Sequence, residues 1–501
     1  MISRDKQVKL GAVLSYFGVF FGIVTGLIYN PWMIRTIGDA DYGLYTLAMS
    51  LINIFVVDFG LSMAAQRFVS KYRAENNQAA VDNIVGLLYK LYIIITIALF
   101  VVFTVLFFFV DAIYAKLTAE ELEKFRVLYI MVAIYSVTSF PFIILNGILS
   151  SYEKFVPLKT FDLIYKVLSV LLTAMALLVG LGVYVLVVVN IIGSVTVTVL
   201  RIFYVKKYTP VRANWSYRDS EKIKELFGFS IWASVSIVTA RLLLALGPSI
   251  LGVVAGSFEI AVFGYAVSME GYIYAFVNAI NGFFMPQLSR INANGERAEE
   301  HVLDLLITVG RFILILFALI FVGFAMLGEE FITLLVGADY VGAYYCVLLI
   351  CGYGLIAYPQ QIANTYVVVK NRVKERALIS LASFVLYIAL VFVLGKMFGA
   401  IGVSISIFSS LAIQTLLMNI LYRVKLKIKI GKFFKACHFK MLPGLLVFAV
   451  MSFFISIIPI FGWLGFLVKM LLIVGVYIPI VWVLILNKFE KEKVIKSLLR
   501  K

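Results

Sequence analysis

The sequence predicts an all-α polytopic membrane protein of about fourteen transmembrane helices, arranged as two parallel-repeat six-helix bundles plus a C-terminal helix pair. Three observations carry this expectation. Of the 501 residues, 63% are hydrophobic, and the mean hydropathy is +1.02. Counted without Tyr and with Gly, the apolar share is roughly 64%, against about 45–50% in soluble domains, which excludes a soluble globular protein. The apolar residues also fall into runs of the length a bilayer requires, about 20 residues each. Finally, the chain matches itself at one fixed offset.

Taken in order, the runs occupy 10–34, 42–65, 86–110, 127–150, 160–180, 183–204, 227–250, 259–285, 305–327, 341–369, 377–396, 399–422, 441–460 and 463–487. The opening MISRDKQVKL is basic and passes into the first run without an A-x-A-like cleavage site. A retained first span is therefore expected rather than a signal peptide.

Orientation follows from the connectors. The chain has 44 Lys and Arg against 27 Asp and Glu, a net charge of +17. The bases collect at the N-terminus (Arg4, Lys6, Lys9), at Arg67 to Arg73, at Arg201 to Lys224, at Lys370 to Arg376, at Arg423 to Lys440 and in the C-terminal tail. By the positive-inside rule these segments, and both termini, are cytoplasmic. The alternate connectors carry Asp39 and Asp41, Asp111 to Glu123, Glu259, and Glu329 to Asp339, and face outside. Arg290 to Asp304 breaks the pattern, with more acids than bases on the inner side. The bases form no separate domain, which argues against nucleic acid as a partner. Amphipathic stretches such as Tyr217 to Phe227 suit either the headgroup layer or a solvated linker.

Cys346, Cys351 and Cys437 build no disulfide framework or CxxC site, and His301 with His438 makes a zinc site unexpected. No cofactor is expected.

A shift of 218 residues brings Pro141 and Asn146 onto Pro359 and Asn364, Gly38 onto Gly256, Asp41 onto Glu259, and Tyr204 onto Tyr422. With a one-residue adjustment Pro31 meets Pro248. A repeat of six spans is even, so the copies share one orientation, as in alternating-access transporters. The expected organisation is an N-terminal lobe at 1–205, a cytoplasmic connector at 206–226, a C-terminal lobe at 227–424, a basic loop at 425–440, and the extra helix pair with its tail at 441–501.

The run PWMIRTIGDADYGLYT at 31–46, followed by DFGLSMAAQR at 58–67, resembles the N-terminal signature of bacterial oligosaccharide flippases. These form the polysaccharide branch of the multidrug/oligosaccharidyl-lipid/polysaccharide exporter superfamily. The resemblance implies a bacterial cytoplasmic (inner) membrane protein of two-lobed, V-shaped architecture, a transporter and not an enzyme. It would move a polyprenyl-diphosphate-linked oligosaccharide to the outer leaflet for O-antigen (lipopolysaccharide), capsule or exopolysaccharide synthesis, alongside a polymerase and a ligase.

Ionisable residues at bilayer depth cost about 2.5–3.5 kcal/mol each on insertion scales and so mark candidate sites. Arg241 is expected to line a basic central cavity and attract the diphosphate, which guanidinium binds in a planar two-point fashion. Glu270 and Asp58 would exchange a proton or cation, coupling transport to its gradient. An Arg241–Glu270 pair that merely staples two helices is the competing reading. Arg311, Arg35, Asn146 and Asn364 complete the candidate substrate-binding set. Arg35 and Arg67 also suit headgroup anchoring, Lys469 suits a local pair, and Gln360 and Gln361 suit interhelical bonding. Pro31, Pro141, Pro248 and Pro359 are candidate hinges.

Two other functions compete. A small-molecule cation antiporter of the same superfamily needs an acid-lined cavity. A lipid-sugar-dependent glycosyltransferase needs a catalytic outer loop, for which Asp39 and Asp41 offer only a DxD-like pair.

Overall fold

The computed structural model describes residues 4–278, 284–293, 297–488 and 490–492, whose regular elements are all helical, with no strand among them. Part of the Arg290 to Asp304 connector and the tail beyond Glu492 lie outside the described residues. Two compact units emerge, Met1–Tyr265 with Ser380–Val403, and Ala266–Ile379 with Ser404–Lys501.

The first unit begins with α1 (Arg4–Ile37), α2 (Asp39–Phe55), α3 (Leu61–Ala74) and α4 (Gln78–Phe108). It continues through α5 (Ala119–Ser139), α6 (Ile144–Ser151), α7 (Phe155–Leu178), α8 (Val183–Tyr208) and α9 (Ser220–Val254). Local chemistry starts several of these. Asn77 accepts from the Ala80 N–H at 2.9 Å to cap α4, and Thr118 with Glu121 forms a capping box on α5. Leu61, Ala64, Ala65, Phe68, Leu88, Ile144 and Ile148 are among the residues that weld α3, α4 and α6 into one core. α1 lies along α7. The next helix, α10 (Ser257–Asn278), crosses α2 at very close range: a Cβ on Gly43 would stand 2.1 Å from the Ser257 carbonyl oxygen.

The second unit contains α11 (Ala298–Leu335), α12 (Val341–Gly352), α13 (Gln361–Val369), α15 (Lys440–Ser456) and α16 (Gly462–Ile480). Between α13 and α15 runs α14 (Val373–Val424), whose stretch Ser380–Val403 belongs to the first unit; its 52 residues bend there at Gly399, whose φ of 55° breaks the helical path. The backbone N–H of Ala400, freed by that bend, donates to Glu259 Oε2 at 2.7 Å.

The 218-residue offset reappears in the backbone. Gly38 and Gly256 both have positive φ (85° and 122°), as do Glu153 and Asn371, each at 55°. Pro141 and Pro359 each occupy the start of a short 3-10 turn, Phe140–Ile143 and Tyr358–Gln360, between two α-helical segments. Pro31 and Pro248, by contrast, lie inside helices that continue through them.

Eleven helices among the described residues are long and apolar enough to cross a membrane. The chain is thus a multi-pass membrane protein, but fourteen spans are not established by that measure. The bent α14 covers two predicted spans and counts once. The predicted span 42–65 is not one helix: α2 ends at Phe55 and α3 starts at Leu61, with left-handed Phe59 and Gly60 between them. The predicted span 259–285 runs into residues outside the described set.

Candidate functional site

The interruption between α2 and α3 places Asp58 at a helix start within the span. Its carboxylate accepts from the Ser62 N–H at 3.2 Å and from the Tyr92 hydroxyl. Ser62 Oγ donates to the Ile143 carbonyl at 3.0 Å, and Ser234 Oγ donates to the Phe59 carbonyl. Backbone groups released by the break are therefore taken up locally, the Ser62 N–H by Asp58 and the Phe59 carbonyl by Ser234 on α9, as a membrane interior demands. Arg241 on α9 is exposed and lies within electrostatic reach of Asp58. Sequence reasoning matched Arg241 by depth with Glu270; Arg241 belongs to the first unit and Glu270 to the second.

The same unit carries an open cavity of about 440 Å³ between α1 and α5 to α8, within the roughly 300–1,000 Å³ usual for small-molecule sites. Four charged side chains line it: Lys159, Asp162, Lys166 and Arg201. Asp162 accepts from Arg201 Nη2 at 2.6 Å and from Lys159 Nζ at 3.3 Å. The Lys166 ammonium instead donates to the Gly18 carbonyl at 2.8 Å. Gly18 and Gly22 make room for it, since a Cβ at Gly22 would stand 3.3 Å from Nζ. Asn146 lines the cavity too, and its side-chain oxygen has no hydrogen-bond partner among the described residues. Nor does Arg201 Nε. Three cations against one anion give the lining a net charge of +2.

The other predicted residues lie elsewhere. Arg35 and Arg67 are exposed on α1 and α3, and the Arg67 guanidinium lies 5.8 Å over the Phe68 ring. Asn364 is half-buried on α13. Gln360 Nε2 donates to Asn419 Oδ1 at 3.0 Å. Glu270 is buried in the second unit, 6% exposed, with no hydrogen-bonding or ion-pairing side chain among the described residues. Arg311, 4% exposed, is engaged by Glu490 and two backbone carbonyls of its own unit. Lys469 pairs with Glu330 at 3.0 Å. Asp41 is held by Lys124 at 3.1 Å, and no group of three or more acidic, His or Cys side chains suited to a metal occurs among the described residues.

Sequence reasoning missed Lys159, Asp162, Lys166 and Arg201. Lys166 falls within predicted span 160–180, so the rule that selected Asp58 also selects it. Arg201 was assigned to a connector, but α8 continues to Tyr208.

Together the discontinuous helix, the polar cavity in a bundle of apolar helices and the repeated 3-10 turns define a multi-pass helical membrane protein with an internal repeat. The model of the polysaccharide biosynthesis protein family matches residues 11–292, and the chain belongs to that family. Among solved structures, the lipid II flippase MurJ in an inward closed conformation is similar over 93% of this chain and 98% of its own, with a TM-score of 0.74 at 17% identity. An inward-facing MATE multidrug resistance transporter of the MOP superfamily matches 83% of this chain and 98% of its own, with a TM-score of 0.63 at 15% identity. A MOP superfamily transporter from Pyrococcus furiosus, described as having a binding pocket of reverse polarity, matches 85% and 96%, with a TM-score of 0.57 at 12% identity. No curated protein matches the sequence.

Proposed function

We propose that the chain is a flippase that carries a polyprenyl-diphosphate-linked oligosaccharide across the bacterial cytoplasmic membrane for cell-surface polysaccharide synthesis, by alternating access through a basic central cavity. The observation that carries this reading is the cation-rich, polar cavity inside an apolar helical bundle. Charge at such depth is retained where a substrate of opposite charge uses it, and the diphosphate is the anionic part of the lipid carrier. Family membership and the MurJ-like fold support the same direction. A cation antiporter would gain nothing from a lining of net positive charge. In this reading Arg241 attracts the diphosphate, and Asp58 beside it, with the buried Glu270 carboxyl, exchanges the proton or cation that resets the cycle.

The test is leaflet accessibility of a fluorescent polyprenyl-diphosphate sugar in proteoliposomes. Translocation by the wild type and its loss in a correctly inserted Arg241→Ala variant is the expected result. A wild type that leaves the lipid in place while exporting a small organic cation would replace this reading with the antiporter.

A further inference from the structure

The connector from the end of α8 to the start of α9 lies against the first turns of α4 and is fastened there through its backbone. The Pro210 carbonyl accepts from Gln78 Nε2 at 3.4 Å, the Arg212 N–H donates to Asp82 Oδ1 at 2.8 Å, and the Asn214 N–H donates to the Asp82 carbonyl at 3.0 Å. Further along, the Tyr217 carbonyl accepts from Lys90 Nζ at 2.7 Å. Gly86 lets the chain seat, since a Cβ there would stand 2.1 Å from the Asn214 carbonyl oxygen. Gln78 to Lys90 spans 12 residues, about 18 Å of helix at 1.5 Å per residue. The connector therefore runs back along α4 toward the apolar run that begins at residue 86.

With its backbone engaged in this way, the connector presents a face of one sign. Lys206, Lys207, Arg212 and Arg218 are exposed, no acidic residue occurs between 206 and 218, and no carboxylate pairs with any of the four among the described residues. Asp82, the acid beside them, is committed to the Arg212 N–H and to Gln78 Nε2 at 2.8 Å. Two aromatic rings sit among the bases: Tyr208, 46% exposed, and Trp215, 52% exposed with its ring 5.8 Å from that of Tyr89. Bases select an anion, while half-exposed Trp and Tyr rings favour the boundary between headgroups and acyl chains. A soluble polyanion would use the bases and leave the rings without a role.

We propose that the 206–218 connector is a docking surface for anionic phospholipid, with headgroup phosphates on the four bases and Trp215 at headgroup level. Basic segments held at a membrane surface gain from anionic lipid and lose that gain as salt screens it. The surface is separate from the cavity between α1 and α5 to α8 and holds whatever substrate the chain carries.

Tryptophan fluorescence of the full chain in nanodiscs tests this, with brominated phosphatidylglycerol or brominated phosphatidylcholine as quencher in an otherwise phosphatidylcholine bilayer. The contribution of Trp215 is the difference between the wild type and Trp215→Phe, which removes one of five tryptophans. That contribution is expected to be quenched at least about twofold more by the anionic lipid, and the preference to fall in about 0.5 M salt. It is expected to vanish when Lys206→Gln, Lys207→Gln, Arg212→Gln and Arg218→Gln are combined. The salt response needs no variant, so misfolding cannot account for it. Equal quenching by the two lipids overturns the proposal and leaves the bases to a soluble acidic partner. Absence of quenching by either lipid overturns it by placing the connector in water, and a preference that survives both salt and the fourfold variant overturns the role of the bases. The flippase reading stands or falls separately, in the translocation assay.

Discussion

Arg311 and Glu490 form a two-point ion pair, Nε to Oε1 at 2.6 Å and Nη2 to Oε2 at 2.9 Å, that ties α11 to the segment beyond the last span. The same guanidinium donates to the carbonyls of Ala436 at 2.8 Å and Ile485 at 2.7 Å. Both carbonyls belong to π-helical turns, Lys435–Phe439 and Val481–Ile485, a distortion that shifts backbone carbonyls out of the α-helical register. One cation thus closes three segments onto α11. Glu490→Ala leaves the guanidinium without its counter-charge and is expected to cost about 3–5 kcal/mol. Arg311→Met combined with Glu490→Leu, which removes both charges, is expected to cost much less. Thermal unfolding in detergent of the single and double variants checks the order.

Tyr92 is fully buried and donates to Asp58. Tyr92→Phe keeps the packing and removes one of the donors holding the carboxylate at the break between α2 and α3. A loss of about 1–3 kcal/mol is expected for the orphaned acceptor. Asp58→Asn in the same background is expected to recover part of it, since a neutral amide needs less solvation. Unfolding midpoints of the wild type and the two variants decide the matter.

The crossing of α2 and α10 admits no side chain at Gly43, because the Ser257 carbonyl oxygen would lie 2.1 Å from its Cβ. Gly264 is similarly constrained, its Cβ position being 2.4 Å from Thr46 Cγ2. Gly43→Val must push the helices apart and is expected to destabilise by about 1–3 kcal/mol. Gly38, where a Cβ meets nothing within 4 Å, is the control for crowding, although its φ of 85° carries a strain of its own. A larger loss at Gly38 than at Gly43 would contradict close packing as the cause.

Asp219 begins α9 from the polar connector, accepting from the Lys222 N–H at 2.9 Å and from the Tyr217 hydroxyl at 2.8 Å. These bonds, the backbone N–H foremost, hold its carboxyl below the usual 3.8. A depressed folded-state value means the carboxylate stabilises the helix start at every pH above the ordinary one, and that this is lost as pH falls through the depressed value. Asp219→Asn is therefore expected to lower the unfolding midpoint at pH 6 and to differ little from the wild type near pH 2. A difference that persists unchanged at the acidic end would assign the effect to something other than the charge.

Hydropathy and the self-match made much of this architecture legible. Spans 86–110, 160–180 and 183–204 coincide with α4, α7 and α8, the first two running two residues past the helix end, because a lipid-facing helix must be apolar over a fixed length. Pro141 and Pro359 were visible as a repeated pair, and the structure gives them the same local form. The interruption at Asp58 was less legible, since Phe59 and Gly60 break the helix by adopting left-handed backbone while the surrounding residues remain apolar. Arg311 was selected for its depth, but its partner is 179 residues further along the chain, and no local pattern encodes that meeting. The cavity of the first unit escaped for a similar reason. Its charges come from α7 and α8, where Lys159, Asp162 and Arg201 read as span-end residues, and only folding turns them toward one space.

A second ion pair, Lys469 to Glu330 at 3.0 Å, grips α11 toward its far end. Its distance from Arg311 along that helix is 19 residues, about 28 Å at 1.5 Å per residue. Two rivets at separate heights remove both sliding and swivelling as freedoms of the final helix pair. α15 and α16 are then cargo of α11 rather than a gate of their own, and any rearrangement in this unit must carry all three as one strut.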